Sequence, residues 1–549
     1  MAPGLDRKGE LGQPSPPAAD VPPGLRLPRQ GPKRARCGAP PGLPDGDVPA
    51  NAHAMTRTVA VPLWLLLLIL LFAGVTFASH FLFPSVRWFF RRRMERGVQR
   101  LNGRLKRPIE PFKLARRHDT IQRLLYDPEV ARAVAETARA EGIPEAVAFE
   151  RAAHYAREIV PAFSATAYFT VGIRLARWLS RSLYRMRLAD SDLRDLERLD
   201  PEAAVVFVMN HRSNMDYMLV TWLVSENGAL AYAVGEWARV WPLSAVIRAM
   251  GAYFIRRRDR SPLYRRVLAR YVQMAVAGGL AQAMFPEGRL SLDGRLGEPR
   301  LGLLSYIMDG AAPGGRDVIF VPVALNYDRV LEDRFLLDAA RTGVRRFRPP
   351  LLTVLGGVGA HLWARLSGRF RGFGTVKVAL GAPLSLRAFL AGRPPEPTAA
   401  LAHELMGRVA RAMPVLPVPL VARRLLGTPQ DGLLTEAGLR AGVEADLGTL
   451  AAHGVAPLGR GPEAAVADAL ALLRERDLLH EGPGGLAPRA EALDLLRFYA
   501  NSIAHHFEAP AATARDIVPA AELPPASQLR GSGASCAPSS ARARGGLPP

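Results

Sequence analysis

A histidine and an aspartate five positions apart, His211 and Asp216, close a run of thirteen residues, Val205–Tyr217, that reads VVFVMNHRSNMDY. On a regular helix that spacing separates two side chains by about 140° and aims them at different faces. The apolar run therefore reads as a strand, with His211 on the turn behind it and Asp216 in the first turn of the following helix. Folded so, the carboxylate accepts the imidazole Nδ1 hydrogen, fixes the tautomer and leaves Nε2 as a base. Such a base suits proton abstraction from an alcohol, and the chemistry to expect is acyl transfer to that alcohol. In isolation the same run also reads as a polar strand-to-helix loop with an Asx-type cap.

Three further blocks carry residues of interest. Gly251–Arg258, GAYFIRRR, is a short strand ending in three arginines. At a period of two, Tyr253, Ile255 and Arg257 share one face and Ala252, Phe254 and Arg256 the other. An arginine at a strand end can clasp a phosphate through two hydrogen bonds, and a surface charge cluster is the plain alternative. Phe285–Arg295, FPEGRLSLDGR, supplies Glu287, Gly288 and two arginines in a turn. Gly288 permits close backbone approach, so nearby N–H groups are candidates to bind substrate oxygens or a developing oxyanion. Glu287 is a candidate acceptor for substrate hydroxyls. Val318–Tyr327, VIFVPVALNY, is an apolar strand interrupted by Pro322, which lacks a ladder donor and so is expected at an edge or bulge.

In order and spacing these blocks, NHxxxxD, GxxFIRR, FxEG and VPV, resemble the glycerolipid acyltransferase superfamily over roughly residues 203–384. Phe254-Ile255-Arg256-Arg257 and the C-terminal Arg497–Phe507, RFYANSIAHHF, are most similar to glycerol-3-phosphate acyltransferases. The resemblance implies His211 as general base and Asp216 as its orienting partner. It implies Arg256, Arg257, Glu287, Gly288 and Arg295 as contacts to glycerol phosphate, and Phe254, Ile255 and Pro322 at the acyl-donor site. Two departures stand out. Arg289 directly follows the glycine where the family has arginine two positions on, at Leu290, and Pro286 gives FPEG, as in lysophosphatidate enzymes.

The elements that must position these residues can be read around them. Short β-rich runs near 203–209, 229–234, 252–256, 280–285, 317–325 and 375–380 alternate with helical patterns near 214–225, 236–250, 262–277 and 301–309. The expected fold class is α/β, a mixed sheet flanked by helices, with the catalytic domain at 200–390. A helical lead-in at 100–190 precedes it, and its stretch 171–186 is basic and amphipathic, a solvated face or one that lies on lipid headgroups. Residues 398–508 read as helical. The GGVGA fragment at 356–360 lacks the third glycine of a dinucleotide fingerprint.

Residues 1–54 and 510–549 are rich in Pro, Gly, Ala or Ser and read as disordered tails. From Thr58 to Val86 there is no Asp, Glu, Lys or Arg, enough for a membrane span of about 20 apolar residues. A cleaved signal peptide competes with that reading. Arg87, Arg91, Arg92, Arg93 and Arg96 follow directly, as after a stop-transfer anchor, and place the catalytic domain on the cytoplasmic side. Met55 offers an alternative translation start.

Formal net charge is +22, and of 72 basic residues only five are lysine, a balance that favours anionic partners. Cys37 and Cys536 are the only cysteines, so neither a disulfide framework nor a cysteine-based zinc site is available. No Gly-Lys pair exists to build a Walker loop, and no G-x-S-x-G elbow to make Ser213 a nucleophile. The expected function is transfer of a fatty acyl group from acyl-CoA or acyl carrier protein to the sn-1 hydroxyl of glycerol 3-phosphate, with no metal or other cofactor. Rival readings are acylation of 1-acylglycerol 3-phosphate or dihydroxyacetone phosphate, and a non-catalytic lipid-binding scaffold. Membrane lipids are expected partners and nucleic acid is not, since no reader motif accompanies the charge.

Overall fold

The computed structural model describes residues 62–74, 76, 110 and 112. Between 117 and 508 it describes all but 166, 189–195, 197, 225–229, 236–242, 257–258, 260, 312–313, 344–362, 364–366, 368–371, 429–431 and 457. The chain divides into two units, Met1–Phe83 and Pro84–Pro549. What is described of the first is an apolar helix, Leu63–Gly74. Among the described residues no single helix is long and apolar enough to cross a membrane. Apart from Pro62 and Thr76, the rest of the 58–86 stretch lies outside the described residues, as do both tails, the GGVGA fragment and Arg257.

In the second unit, helices Arg117–Leu125, Pro128–Glu141 and Glu145–Ile159 come first. Local chemistry sets the bounds of the middle one. Asp127 caps its start by accepting the Glu129 N–H at 3.0 Å, Pro128 occupies a position whose N–H has no helical partner, and Gly142 ends it at φ 63°. A π-helical turn, Ala167–Gly172, leads into the helix Ile173–Leu183.

Among the described residues the sheet has eight strands: β1 (Arg185–Leu188), β2 (Ala204–Met209), β3 (Ala231–Val234), β4 (Tyr253–Phe254), β5 (Gln282–Met284), β6 (Val318–Tyr327), β7 (Thr375–Leu380) and β8 (Leu384–Ser385). Their order is β1-β7-β6-β2-β5-β3-β4, with β8 also on β6. Strands β2 to β6 run parallel, whereas β7 and β8 pair antiparallel with β6. Helices cover both faces, which is why β2 is apolar at every position. Its alternation still separates two cores. Val205, Phe207 and Met209 pack with the C-terminal helices, while Ala204, Val206 and Val208 pack with the lead-in helices.

Two expectations are corrected here. β1 lies partly inside the stretch 171–186 read as one helix; its extended state comes from parallel pairing with β7, nearly two hundred positions away. Pro322 sits neither at a sheet edge nor in a bulge but inside β6, opposite Val208 of β2. Its carbonyl accepts Gly381 N–H at 2.9 Å, so the side of the strand where its own N–H is missing faces the interval between β7 and β8. No ladder donor is required there, and a central strand tolerates the proline.

The C-terminal region is mostly helical: Pro397–Ala412, Pro417–Leu426, Glu436–Ala452, Pro462–Glu475 and Leu493–Asn501. It also holds a hairpin, β9 (Leu479–Gly482) with β10 (Gly485–Pro488), in a region read as helical throughout. Pro483 and Gly484 make its two-residue turn, a breaker signal that the helical pattern on either side outweighed.

Candidate active site

His211 lies two residues beyond β2, and Asp216 is the first residue of the helix Asp216–Val224. Nδ1 of His211 is 2.9 Å from Asp216 Oδ2. That oxygen also accepts the backbone N–H groups of Arg212 at 2.8 Å and Ser213 at 3.0 Å. The turn therefore wraps its own carboxylate, which sits at the positive end of the helix it begins. Oδ1 accepts the hydroxyl of Tyr327, at the end of β6, and burial beside Asp216 holds that phenol protonated by pushing its pKa well up. Asn210 exchanges two hydrogen bonds with the Leu325 backbone at 2.8 and 2.9 Å and so fixes the turn to β6.

Aromatic rings orient the imidazole. Phe285 stacks on it with centroids 4.0 Å apart and 29° between planes, and Tyr217 meets its edge at 5.5 Å. Nδ1 is committed to Asp216, and among the described residues Nε2 makes no hydrogen bond. A group in that state accepts a proton from a hydroxyl brought to it.

The FPEG block braces the same turn from β5. Glu287 Oε1 accepts His211 N–H at 3.2 Å and Oε2 accepts Gly297 N–H at 3.2 Å, while Ser291 N–H donates to the His211 carbonyl at 3.0 Å. Both carboxylate oxygens of Glu287 thus hold backbone. Gly288, at φ +69°, donates its own N–H to the Phe285 carbonyl at 2.9 Å, and a Cβ there would come 2.8 Å from Arg300 Cδ. Its N–H thus closes the turn.

Burial pushes the Glu287 carboxyl up to about 7 from an ordinary 4.5. The folded state favours the neutral form, so the contribution of this group is full below pH 4.5 and is lost as pH rises through 7, on the order of 3 kcal/mol in all. Asp328, raised by burial to about 6, acts in the same direction. Glu287→Gln is therefore expected to show a shallower fall of Tm across that window than the parent, measured by thermal unfolding against pH; equal slopes would remove Glu287 from the account.

The arginines are distributed differently. Arg256 is turned toward the lead-in helix, where its guanidinium donates to Glu158 at 2.7, 3.0 and 3.1 Å and lies over Tyr155, and this pairing raises its pKa further. Arg295 donates to Glu508 at 2.9 Å and is half exposed. Phe254 is buried in the core beneath the Arg248 guanidinium, and Ile255 is partly buried beside the other core. The structure thus brings His211, Asp216, Glu287 and Gly288 together and places Arg256 and Arg295 in ion pairs elsewhere. Arg300, lying against Gly288, was not singled out by sequence reasoning.

Residues 190–326 match the acyltransferase family model, and residues 362–527 match the model of the glycerol-3-phosphate acyltransferase C-terminal region. The chain carries an acyltransferase domain. Curated relatives named glycerol-3-phosphate acyltransferase include those of Pseudomonas entomophila strain L48, 29% identical over 448 residues, and Pseudomonas syringae pv. syringae strain B728a, 28% identical over 444 residues. Each alignment covers 76% of this chain, which spans about half the length of those relatives, 52% in each case. The solved 1-acyl-sn-glycerophosphate acyltransferase of Thermotoga maritima is 18% identical at a TM-score of 0.27, over 43% of this chain and 74% of that one.

The C-terminal region reaches into the acyltransferase domain. Arg212, buried beside His211, donates to the carbonyls of Gly294 at 2.7 Å and Ser502 at 3.3 Å. Asn501 donates to the Asp293 carbonyl at 2.8 Å, and the backbone of Phe498 packs so closely on Gly294, at φ +83°, that any side chain there would collide with it. Tyr499 accepts Val330 N–H at 3.0 Å and donates to Asp333. On the far side of the turn, Glu332 accepts Ser213 Oγ–H at 2.7 Å and Asn214 N–H at 2.9 Å. The signal for these contacts was the RFYANSIAHHF run, whose partners the sequence does not name.

Proposed function

We propose that this protein moves a fatty acyl group from a thioester, acyl-CoA or acyl carrier protein, to the sn-1 hydroxyl of glycerol 3-phosphate, forming lysophosphatidate. The observation that carries the reading is the His211–Asp216 pair at 2.9 Å, with Nε2 uncommitted, inside a chain that matches both acyltransferase models. In the reaction Nε2 takes the hydroxyl proton as the oxygen forms a bond to the thioester carbon. The tetrahedral oxyanion collapses, the C–S bond breaks, and the thiolate recovers the proton from the imidazolium. Asp216 supports the imidazolium while it exists.

The acceptor phosphate falls to arginines, Arg257 by the family resemblance and Arg300 by its place against Gly288. The stretch 58–86 serves as a single-pass anchor with the catalytic domain on the cytoplasmic side, next to the bilayer that receives the product. The test is an assay of membranes bearing the protein, with one labelled acyl thioester and three acceptors offered separately. Label in lysophosphatidate from glycerol 3-phosphate is expected. Transfer only to 1-acylglycerol 3-phosphate or to dihydroxyacetone phosphate would overturn the acceptor, and no transfer to any acceptor would leave the scaffold reading.

A further inference from the structure

The helix Ile173–Leu183 presents to solvent a face that water does not favour. Ile173, Ala176, Ser180 and Leu183 are buried against the body. Outward, Leu175 is 46% exposed and Trp178 54%, and Val171, in the π-helical turn just before the helix, is 62% exposed on the same side. About a quarter turn away stand Arg174, Arg177 and Arg181, all exposed, and none of them forms an ion pair among the described residues. Arg181 lies over the ring of Trp222 at 5.2 Å.

We infer that this face docks on an anionic phospholipid surface, with Val171, Leu175 and Trp178 entering the headgroup–acyl boundary and the three arginines meeting lipid phosphates. An apolar stripe bordered along one side by cations and ending in a tryptophan is the pattern of a helix lying in the plane of a membrane interface. The unpaired arginines decide the occupant: each gains near an anionic leaflet and gains nothing on an apolar protein face. Location gives the contact a purpose. This helix packs against Asp216–Val224, the helix whose first residue is the partner of His211. Docking therefore sets the catalytic turn one helix layer from the lipid, and it does so whichever acceptor the enzyme uses.

The test uses the full chain with Cys37→Ser, Cys536→Ser and Trp178→Cys, labelled at residue 178 with an environment-sensitive nitrobenzoxadiazole fluorophore. The protein is reconstituted with vesicles of phosphatidylcholine, or of phosphatidylcholine mixed with phosphatidylglycerol. Expected are a blue shift and a severalfold loss of quenching by aqueous iodide in the anionic vesicles only, both abolished by Arg174→Glu with Arg177→Glu. Because residue 178 reports its own surroundings, anchoring elsewhere in the chain does not mimic this result. A label that stays water-exposed in anionic vesicles would overturn the inference, as would one equally immersed in both lipids. Shielding that appears without vesicles and grows with protein concentration would mark a contact between copies and overturn it too.

Discussion

Replacing His211 with alanine is expected to lower turnover roughly 10²- to 10⁴-fold, the range that loss of a positioned general base produces. Among the described residues nothing nearby can substitute. Glu287 spends both oxygens on the backbone N–H groups of His211 and Gly297, and the Tyr327 hydroxyl is held protonated against Asp216. The loss belongs in kcat, because the imidazole acquires its proton only as the hydroxyl attacks. The fold is expected to survive, since the turn stays wrapped around Asp216 by the Arg212 and Ser213 N–H groups. Steady-state kinetics with an unfolding curve as control checks this; turnover within a few-fold of the parent would remove His211 from the mechanism.

Asp216→Asn is the second large effect, on the order of 10²-fold in kcat with KM little changed. The amide oxygen can take over the acceptor position that serves His211 Nδ1 and the Arg212 and Ser213 N–H groups, and the Tyr327 hydroxyl can turn to accept from the amide nitrogen. What asparagine cannot supply is the negative charge beside an imidazolium formed in the transition state, in a buried site where such a charge counts most. The paired measurement is kcat and KM for both substrates. A variant that loses acceptor affinity while keeping kcat would make Asp216 a structural cap only.

The outcome for the arginines shows how far a motif reads. Arg256 stands beside Arg257 in FIRR, and the resemblance treats both as phosphate contacts. In the fold Arg256 is tied to Glu158 of the helix Glu145–Ile159, a partner 98 positions earlier. Glu287 is similar: a carboxylate in a glycine turn suggests a substrate acceptor, yet its two oxygens brace the loop carrying His211. In each case the residue type was legible and its partner was not, because the partner arrives from another element.

His211 and Asp216 belong together on sequence grounds alone. Five positions across a strand-to-helix turn leave few ways to fold, and the backbone itself delivers the carboxylate to Nδ1. The same holds for the continuous apolar runs that become β2 and β6 and for the α/β alternation. Tertiary structure decided the rest: that Tyr327 finds Asp216 from 111 positions away, that Asn210 locks onto Leu325 at a separation of 115, and that Arg212 reaches Ser502 at 290. Contacts of that span depend on which strands become neighbours, and neighbours are chosen by burying the two faces of one sheet at once, a condition set by the whole chain rather than by any stretch of it.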